Sequence, residues 1–175
     1  SFVLIDSETG VGNGQIFPAG PLREEARKGL ARADAIVLVE NTSTAKAEKI
    51  QLPMELTTPP IIANIVIDET TVPDGPVFAF AGIGRPEKFF EGLRSIGREP
   101  IQTKGFPDHH PYTSTEIANL KRSAYQRGAI LVTTEKDFSR LTDESKDGIA
   151  QVRARMVFTP QNALESAILR LLDTK

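Results

Sequence analysis

Short apolar runs alternate with helix-period segments along almost the whole of this chain. That alternation predicts an α/β fold of mostly parallel sheets with flanking helices. Strands are expected at Phe2–Ile5, Ala35–Val39, Ile61–Ile67, Val77–Phe80, Ile101–Thr103, Ile130–Thr133 and Met156–Phe158. The clearest helix runs from Pro86, suited to a first turn, along Phe89, Phe90, Leu93 and Ile96 to a stop at Gly97. A second opens on the capping sequence Thr113-Ser114-Thr115-Glu116 and sets Ile117, Leu120 and Ala124 on one face before Gly128. A third, Gln161–Leu172, carries Leu164, Ile168 and Leu171 at helical spacing. These stripes read as core.

With 175 residues there is material for one good α/β domain or two small ones. The stretch Asp68–Pro76 is acidic, threonine-rich and contains two prolines, so it reads as a linker between two sub-structures. The chain is 39% hydrophobic and 25% charged, a composition that folds. A net charge of -2 gives no basic footprint, so nucleic acid is not expected as a partner. There is no cysteine, hence no disulfide or zinc-thiolate site. The longest apolar stretches, such as Ile61–Ile67, are strand-sized and too short to span a bilayer. Residue 1 is Ser and leads straight into an apolar run that reads as a buried strand already under way, so we expect the carboxy-terminal piece of a longer protein.

The loops that carry chemistry follow strands, at the carboxyl edge where open α/β sheets bind ligands. Gly10-Val11-Gly12-Asn13-Gly14 is followed by Pro18-Ala19-Gly20-Pro21-Leu22-Arg23-Glu24. Its glycines let backbone amides converge on an anion and Arg23 can clamp a phosphate, or the segment is a tight turn with a surface arginine. A G-x-x-x-x-G-K-[ST] phosphate loop occurs nowhere in the sequence. Gly82-Ile83-Gly84-Arg85-Pro86-Glu87 departs from a dinucleotide fingerprint because Glu87 stands where the third glycine belongs. Arg85 and Glu87 suit a phosphate or its metal-bound partner at a helix start, or are solvent-facing charges there. Thr133-Thr134-Glu135-Lys136-Asp137 is a charged run at a strand end that reads as a solvated helix start or as a loop carrying function. The only two histidines, His109 and His110, follow Asp108 between Pro107 and Pro111. The prolines push Phe106 and His110 toward extended geometry, and the histidines suit proton transfer, metal ligation or backbone hydrogen bonding.

Taken in order, Pro18 to Glu24, Ala79 to Phe90, Phe106 to His110 and Thr134 to Asp137 resemble the tetraacyldisaccharide 4'-kinases, the lipid A kinases of Gram-negative bacteria, over nearly the whole chain. The resemblance implies a P-loop-type kinase of two α/β/α domains, peripheral to the cytoplasmic face of the inner membrane. Such an enzyme transfers the ATP γ-phosphate, with Mg²⁺, to the 4'-hydroxyl of a tetraacyldisaccharide 1-phosphate. It implies that His109, the histidine after Asp108, assists the base that takes the hydroxyl proton, working beside an acid of a D-D-G-x-Q-type motif that this sequence does not contain. Arg85 and Arg23 match arginines around the phosphates, with Glu87 in the loop of Arg85 and Asn13, Gly12 and Gly14 in the loop preceding Arg23. No residue is assigned to a metal.

On this reading residues 1–72 are the later part of the nucleotide domain, 73–160 a smaller α/β domain and 161–175 a terminal helix free to pack back on the first. The P-loop, its magnesium-binding hydroxyl and the membrane-associating helix are expected to precede Ser1, leaving this chain inactive by itself. Two other classes fit the residues. A stand-alone nucleotide-binding α/β module would use Gly82-Ile83-Gly84 without kinase activity. A metal-dependent hydrolase would use Asp108, His109 and His110, although neighbours in an extended segment point apart.

Overall fold

The structure, a computed structural model, describes residues 1–40 and 59–173. The expected alternation is present, as two parallel-stranded sheets with flanking helices, and the chain divides into two compact units.

The first unit comprises Ser1–Ile65 and Met156–Lys175. Its sheet has the order β1-β2-β3-β8, formed by β1 (Phe2–Asp6), β2 (Ala35–Glu40), β3 (Ile61–Ile67) and β8 (Ala154–Thr159). β1, β2 and β3 run parallel, with Phe2 beside Ala35 and Val37 beside Ile61. The short α1 (Ala26–Ala31) connects β1 to β2, and α6 (Ala163–Asp173) follows β8. β1 is less buried than its apolar sequence implies: Ile5 is buried while Leu4, on the opposite face of the sheet, is 57% exposed.

The second unit, Val66–Arg155, is built on a sheet of order β5-β4-β6-β7. Its strands are β4 (Val77–Ala81), β5 (Gln102–Gly105), β6 (Ile130–Thr134) and β7 (Ile149–Val152), all pairing in parallel. β4 is buried at every residue, as a central parallel strand covered on both faces must be. Its period-two side chains sort into two cores. Val77, Ala79 and Ala81 pack with Phe89, Phe90 and Leu93 of α2 (Pro86–Ser95), while Phe78 and Phe80 pack with Ile117, Leu120 and Ala124 of α3 (Ser114–Gln126). Burying each such phenylalanine contributes about 1.5–3 kcal/mol. Pro86 stands in the first turn of α2, and the Thr113–Glu116 capping box of α3 is formed in both directions.

The structure departs from the sequence reading at several points. Asp68–Pro76 is not a plain linker over its first half. The Asp68 carboxylate caps a short turn by accepting from Thr70 N and Oγ1, Thr71 Oγ1 accepts from Arg153 N, and Val72 is buried in the second unit's core. The units therefore divide after Ile65 and Arg155, where the sequence reading put divisions after 72 and 160, because β8 joins the first sheet while Asp68–Val72 is tied to the second unit. β7 was not expected, since Ile-Ala-Gln-Val is too mixed to register as an apolar run. The charged segments after β6 also fold into two one-turn helices, α4 (Glu135–Phe138) and α5 (Asp143–Lys146), each opened by a threonine cap.

Candidate active site

In the second unit the chain leaves β4 to form β5 on one side and later returns as β6 on the other. The strand order reverses between β4 and β6, and it is outside the carboxyl ends of such a strand pair that open α/β sheets bind ligands. The loop after β4 brings Gly82 to this edge, the loop after β5 brings Asp108 to Tyr112, and α4 after β6 brings Lys136, Asp137 and, just beyond it, Arg140.

Gly82 is the hub of the arrangement. Its N–H donates to Asp137 Oδ2 at 3.0 Å, and its carbonyl accepts from His109 N at 3.1 Å and from Arg140 Nη1 at 3.2 Å. A Cβ at this position would lie 2.7 Å from Tyr112 Oη, 3.2 Å from Pro107 O and 3.3 Å from Asp137 Oδ1, so only glycine fits. Asp137 is fully buried and also accepts from Thr134 Oγ1 at 2.7 Å, which satisfies a carboxylate that would otherwise be costly to desolvate. The Tyr112 hydroxyl is buried and makes no hydrogen bond of ordinary geometry among the described residues. Burial first, and the Asp137 carboxylate next, hold its pKa far above the usual phenol range.

The histidine pair does not adopt the extended geometry expected between its prolines. His110 N donates to Pro107 O, closing a turn in which His109 takes a φ of 60°. The two rings still part. His110 is largely buried, stacked on Phe106 at 4.7 Å, with Nε2 3.0 Å from Glu116 Oε1. His109 stays exposed, with Nδ1 2.8 Å from Arg140 Nη2 and Nε2 3.7 Å from Asp108 Oδ2. Asp108 also faces Lys136 Nζ at 3.5 Å. Glu116 itself is bound by the backbone and side chain of Thr113 and by His110, which hold its carboxyl below the usual carboxylate value. A metal-dependent hydrolase built on Asp108, His109 and His110 finds no support in this geometry, because His110 is turned to Glu116. Among the described residues no three His, Cys, Asp or Glu side chains gather in a group able to hold a metal ion.

Of the residues picked from sequence, Asp108 and His109 come together here. Arg85 is the residue preceding α2 and Glu87 lies in its first turn, both exposed. Gly12, Asn13, Gly14 and Arg23 belong to the first unit. There Gly12 N donates to Thr9 O and Gly14 N to Val11 O, so these amides close the loop on itself instead of converging on an anion. Asn13 is a staple of the same loop, donating from Nδ2 to Ala19 O and accepting from Gln15 N. Arg23 is exposed and its side chain makes no hydrogen bond or ion pair among the described residues.

Sequence reasoning missed Arg140 and Tyr112 and gave Asp137 no definite role. The signal for Asp137 was present in Thr134-x-x-Asp137, where a threonine cap turns the fourth residue inward. Arg140 lies one turn further on, and nothing local distinguishes it from a surface charge.

The family model for tetraacyldisaccharide-1-P 4'-kinase matches residues 1–173. A tetraacyldisaccharide 4'-kinase of Rhodospirillum rubrum is 38% identical over 98% of this chain and 53% of its own length. One from Rhodopseudomonas palustris (strain BisB5) is 44% identical over 81% of this chain and 42% of its own. The chain thus spans about half the length of the curated relatives it matches, 53% and 42% in these two. Among solved structures, that of LpxK from Aquifex aeolicus in complex with ATP matches with a TM-score of 0.56 at 23% identity, covering 97% of this chain and 51% of that one, a likeness of fold. With a match that runs from its first residue to Asp173, this chain belongs to the tetraacyldisaccharide-1-P 4'-kinase family.

Proposed function

We propose that this chain is the carboxy-terminal half of an enzyme that transfers the γ-phosphate of ATP to the 4'-hydroxyl of a tetraacyldisaccharide 1-phosphate in lipid A biosynthesis. The observation that carries the proposal is the family match across residues 1–173. In support, the motif residues Asp108 and His109 stand side by side at the edge of the second unit's sheet where α/β folds place chemistry. Phosphoryl transfer asks a protein mainly for positioning and for positive charge around the moving phosphoryl oxygens. In this proposal Asp108 and His109 handle the hydroxyl proton, and Arg85 and Arg23 meet phosphate, with Glu87 beside Arg85 at the start of α2. Gly12, Gly14 and Asn13 contribute by shaping the loop that leads to Arg23.

The family resemblance also implies Mg²⁺, which would neutralise charge on the ATP phosphates. The described residues build no group to hold it, so no step is assigned to the ion here. No helix among the described residues is long and apolar enough to cross a membrane. We place the whole enzyme at the cytoplasmic face of the inner membrane, because its acylated substrate resides in a bilayer. The chain alone lacks a P-loop and is expected to be inactive.

The test is transfer of labelled phosphate from ATP to the disaccharide by a complete enzyme carrying this chain. His109→Ala is expected to lower kcat roughly a hundredfold with the fold intact, the scale of general acid–base assistance. His110→Ala should act through stability, since its ring packs on Phe106 and pairs with Glu116. Equal and mild effects of the two on kcat would refute the assignment.

A further inference from the structure

Several features of the chain converge on the ring of His109. With its φ of 60°, His109 is the one non-glycine residue at positive φ among the described residues. Such a conformation persists in a non-glycine residue where its surroundings hold it, and it clusters at functional sites. Its backbone N–H is anchored on Gly82 O, and its Nδ1 lies 2.8 Å from Arg140 Nη2. That last contact has a single chemical solution. A guanidinium carries five N–H donors, has no acceptor and keeps its protons, so Nδ1 must supply the lone pair. The proton of the neutral ring then sits on Nε2, the nitrogen that faces Asp108 Oδ2 at 3.7 Å.

Arg140 is itself held in place. Its Nη1 donates to Gly82 O at 3.2 Å and lies 3.4 Å from Asp137 Oδ1. Asp137 is fully buried, and its other oxygen is fixed by Gly82 N and Thr134 Oγ1. A carboxylate immobilised in this way aims the guanidinium, because charge-assisted bonds are the strong ones and their geometry is narrow.

We propose that Asp137 and Arg140 are positioning residues that fix His109 as its Nε2–H tautomer, so that the ring presents a hydrogen-bond donor to the carboxylate beside it. The bearing of this on phosphate transfer rests on the function proposed above: a ring held with its proton on Nε2 offers that N–H to the base that takes the hydroxyl proton. The tautomer itself rests only on the geometry.

The experiment is long-range ¹H–¹⁵N NMR of this chain with ¹⁵N-labelled histidine, at a pH where the rings are neutral. Only His109 and His110 contribute, and His109→Gln assigns the pair by removing one set of signals. Unsubstituted protein should show His109 with a bare Nδ1 and a protonated Nε2. Arg140→Met should collapse the separation of the two nitrogen shifts toward a tautomeric average while leaving His110 unmoved. Arg140→Lys, which keeps a donor without an acceptor, should retain part of the preference, and Asp137→Asn should weaken it. A protonated Nδ1 on His109 in the unsubstituted protein, or an unchanged tautomer in Arg140→Met, overturns the proposal; an unchanged tautomer in Asp137→Asn overturns the part assigned to Asp137. Should Arg140→Met fail to fold, the unsubstituted spectrum and Arg140→Lys decide. The readout needs neither ATP nor disaccharide, so it stands or falls separately from the kinase reading.

Discussion

At the scale of single residues the site is organised around one peptide that tolerates no side chain. Gly82 meets the Tyr112 hydroxyl, the Pro107 carbonyl and the Asp137 carboxylate within the space a Cβ would need. Gly82→Ala is therefore expected to lower stability by about 1–3 kcal/mol, the usual cost of overpacking a tight site. Tyr112→Phe removes the nearest obstacle, at 2.7 Å, and a buried hydroxyl without a hydrogen-bond partner. Alone it should leave the urea midpoint unchanged or raise it, and in the Gly82→Ala background it should recover much of the loss. A double variant no more stable than Gly82→Ala would show that the hydroxyl is not the obstacle. From the sequence, Asp108 and His109 stood out as candidates because residue type and flanking prolines mark them. Asp137 had only its local threonine cap to mark it and Arg140 had nothing, because burial and a guanidinium's aim are set by contacts 55 and 58 residues away in the chain.

At the scale of elements, the local signals were read correctly where they carry their own physics. The α3 capping box is one, and it gives a pH test. Thr113 and His110 hold the Glu116 carboxyl below its ordinary value of 4.5. A depressed carboxylate adds stability that is fully present above the unfolded value and is lost as pH falls through the lower folded value. Thr113→Ala should cost about 1 kcal/mol near neutrality and flatten the acid-side slope below pH 4.5, as read by urea unfolding across that range. An unaltered slope would mean that the cap does not set the carboxyl. The α2 start makes a different prediction. If Arg85 grips phosphate through its planar fork, Arg85→Lys in a complete enzyme should lose at least about tenfold in kcat/KM, about 1.4 kcal/mol, despite keeping the charge. A loss under about twofold would mark it as a surface charge at a helix start. β7 and the helix α5 escaped the sequence reading because four-residue elements hold too few positions for periodicity to register, whereas the charged run at the start of α4 carries its own helix-start signal.

At the scale of the molecule, the α/β alternation and the presence of two units were legible, whereas the residues at which the units divide were not. A linker composition over Asp68–Pro76 concealed a capped turn whose Val72 joins a core, and sheet membership depends on strand order, which sequence does not print. The account of function turns on a division of labour. In the proposed function this chain contributes the Asp108–His109 pair and its arginines, and no G-x-x-x-x-G-K-[ST] phosphate loop occurs among its 175 residues. The most direct measurement is phosphate transfer from labelled ATP to tetraacyldisaccharide 1-phosphate by purified residues 1–175, beside the same chain joined to a P-loop-bearing amino-terminal half from the family. The account expects no transfer above background by the chain alone and turnover by the joined protein; robust turnover by residues 1–175, free of host kinase, would contradict it.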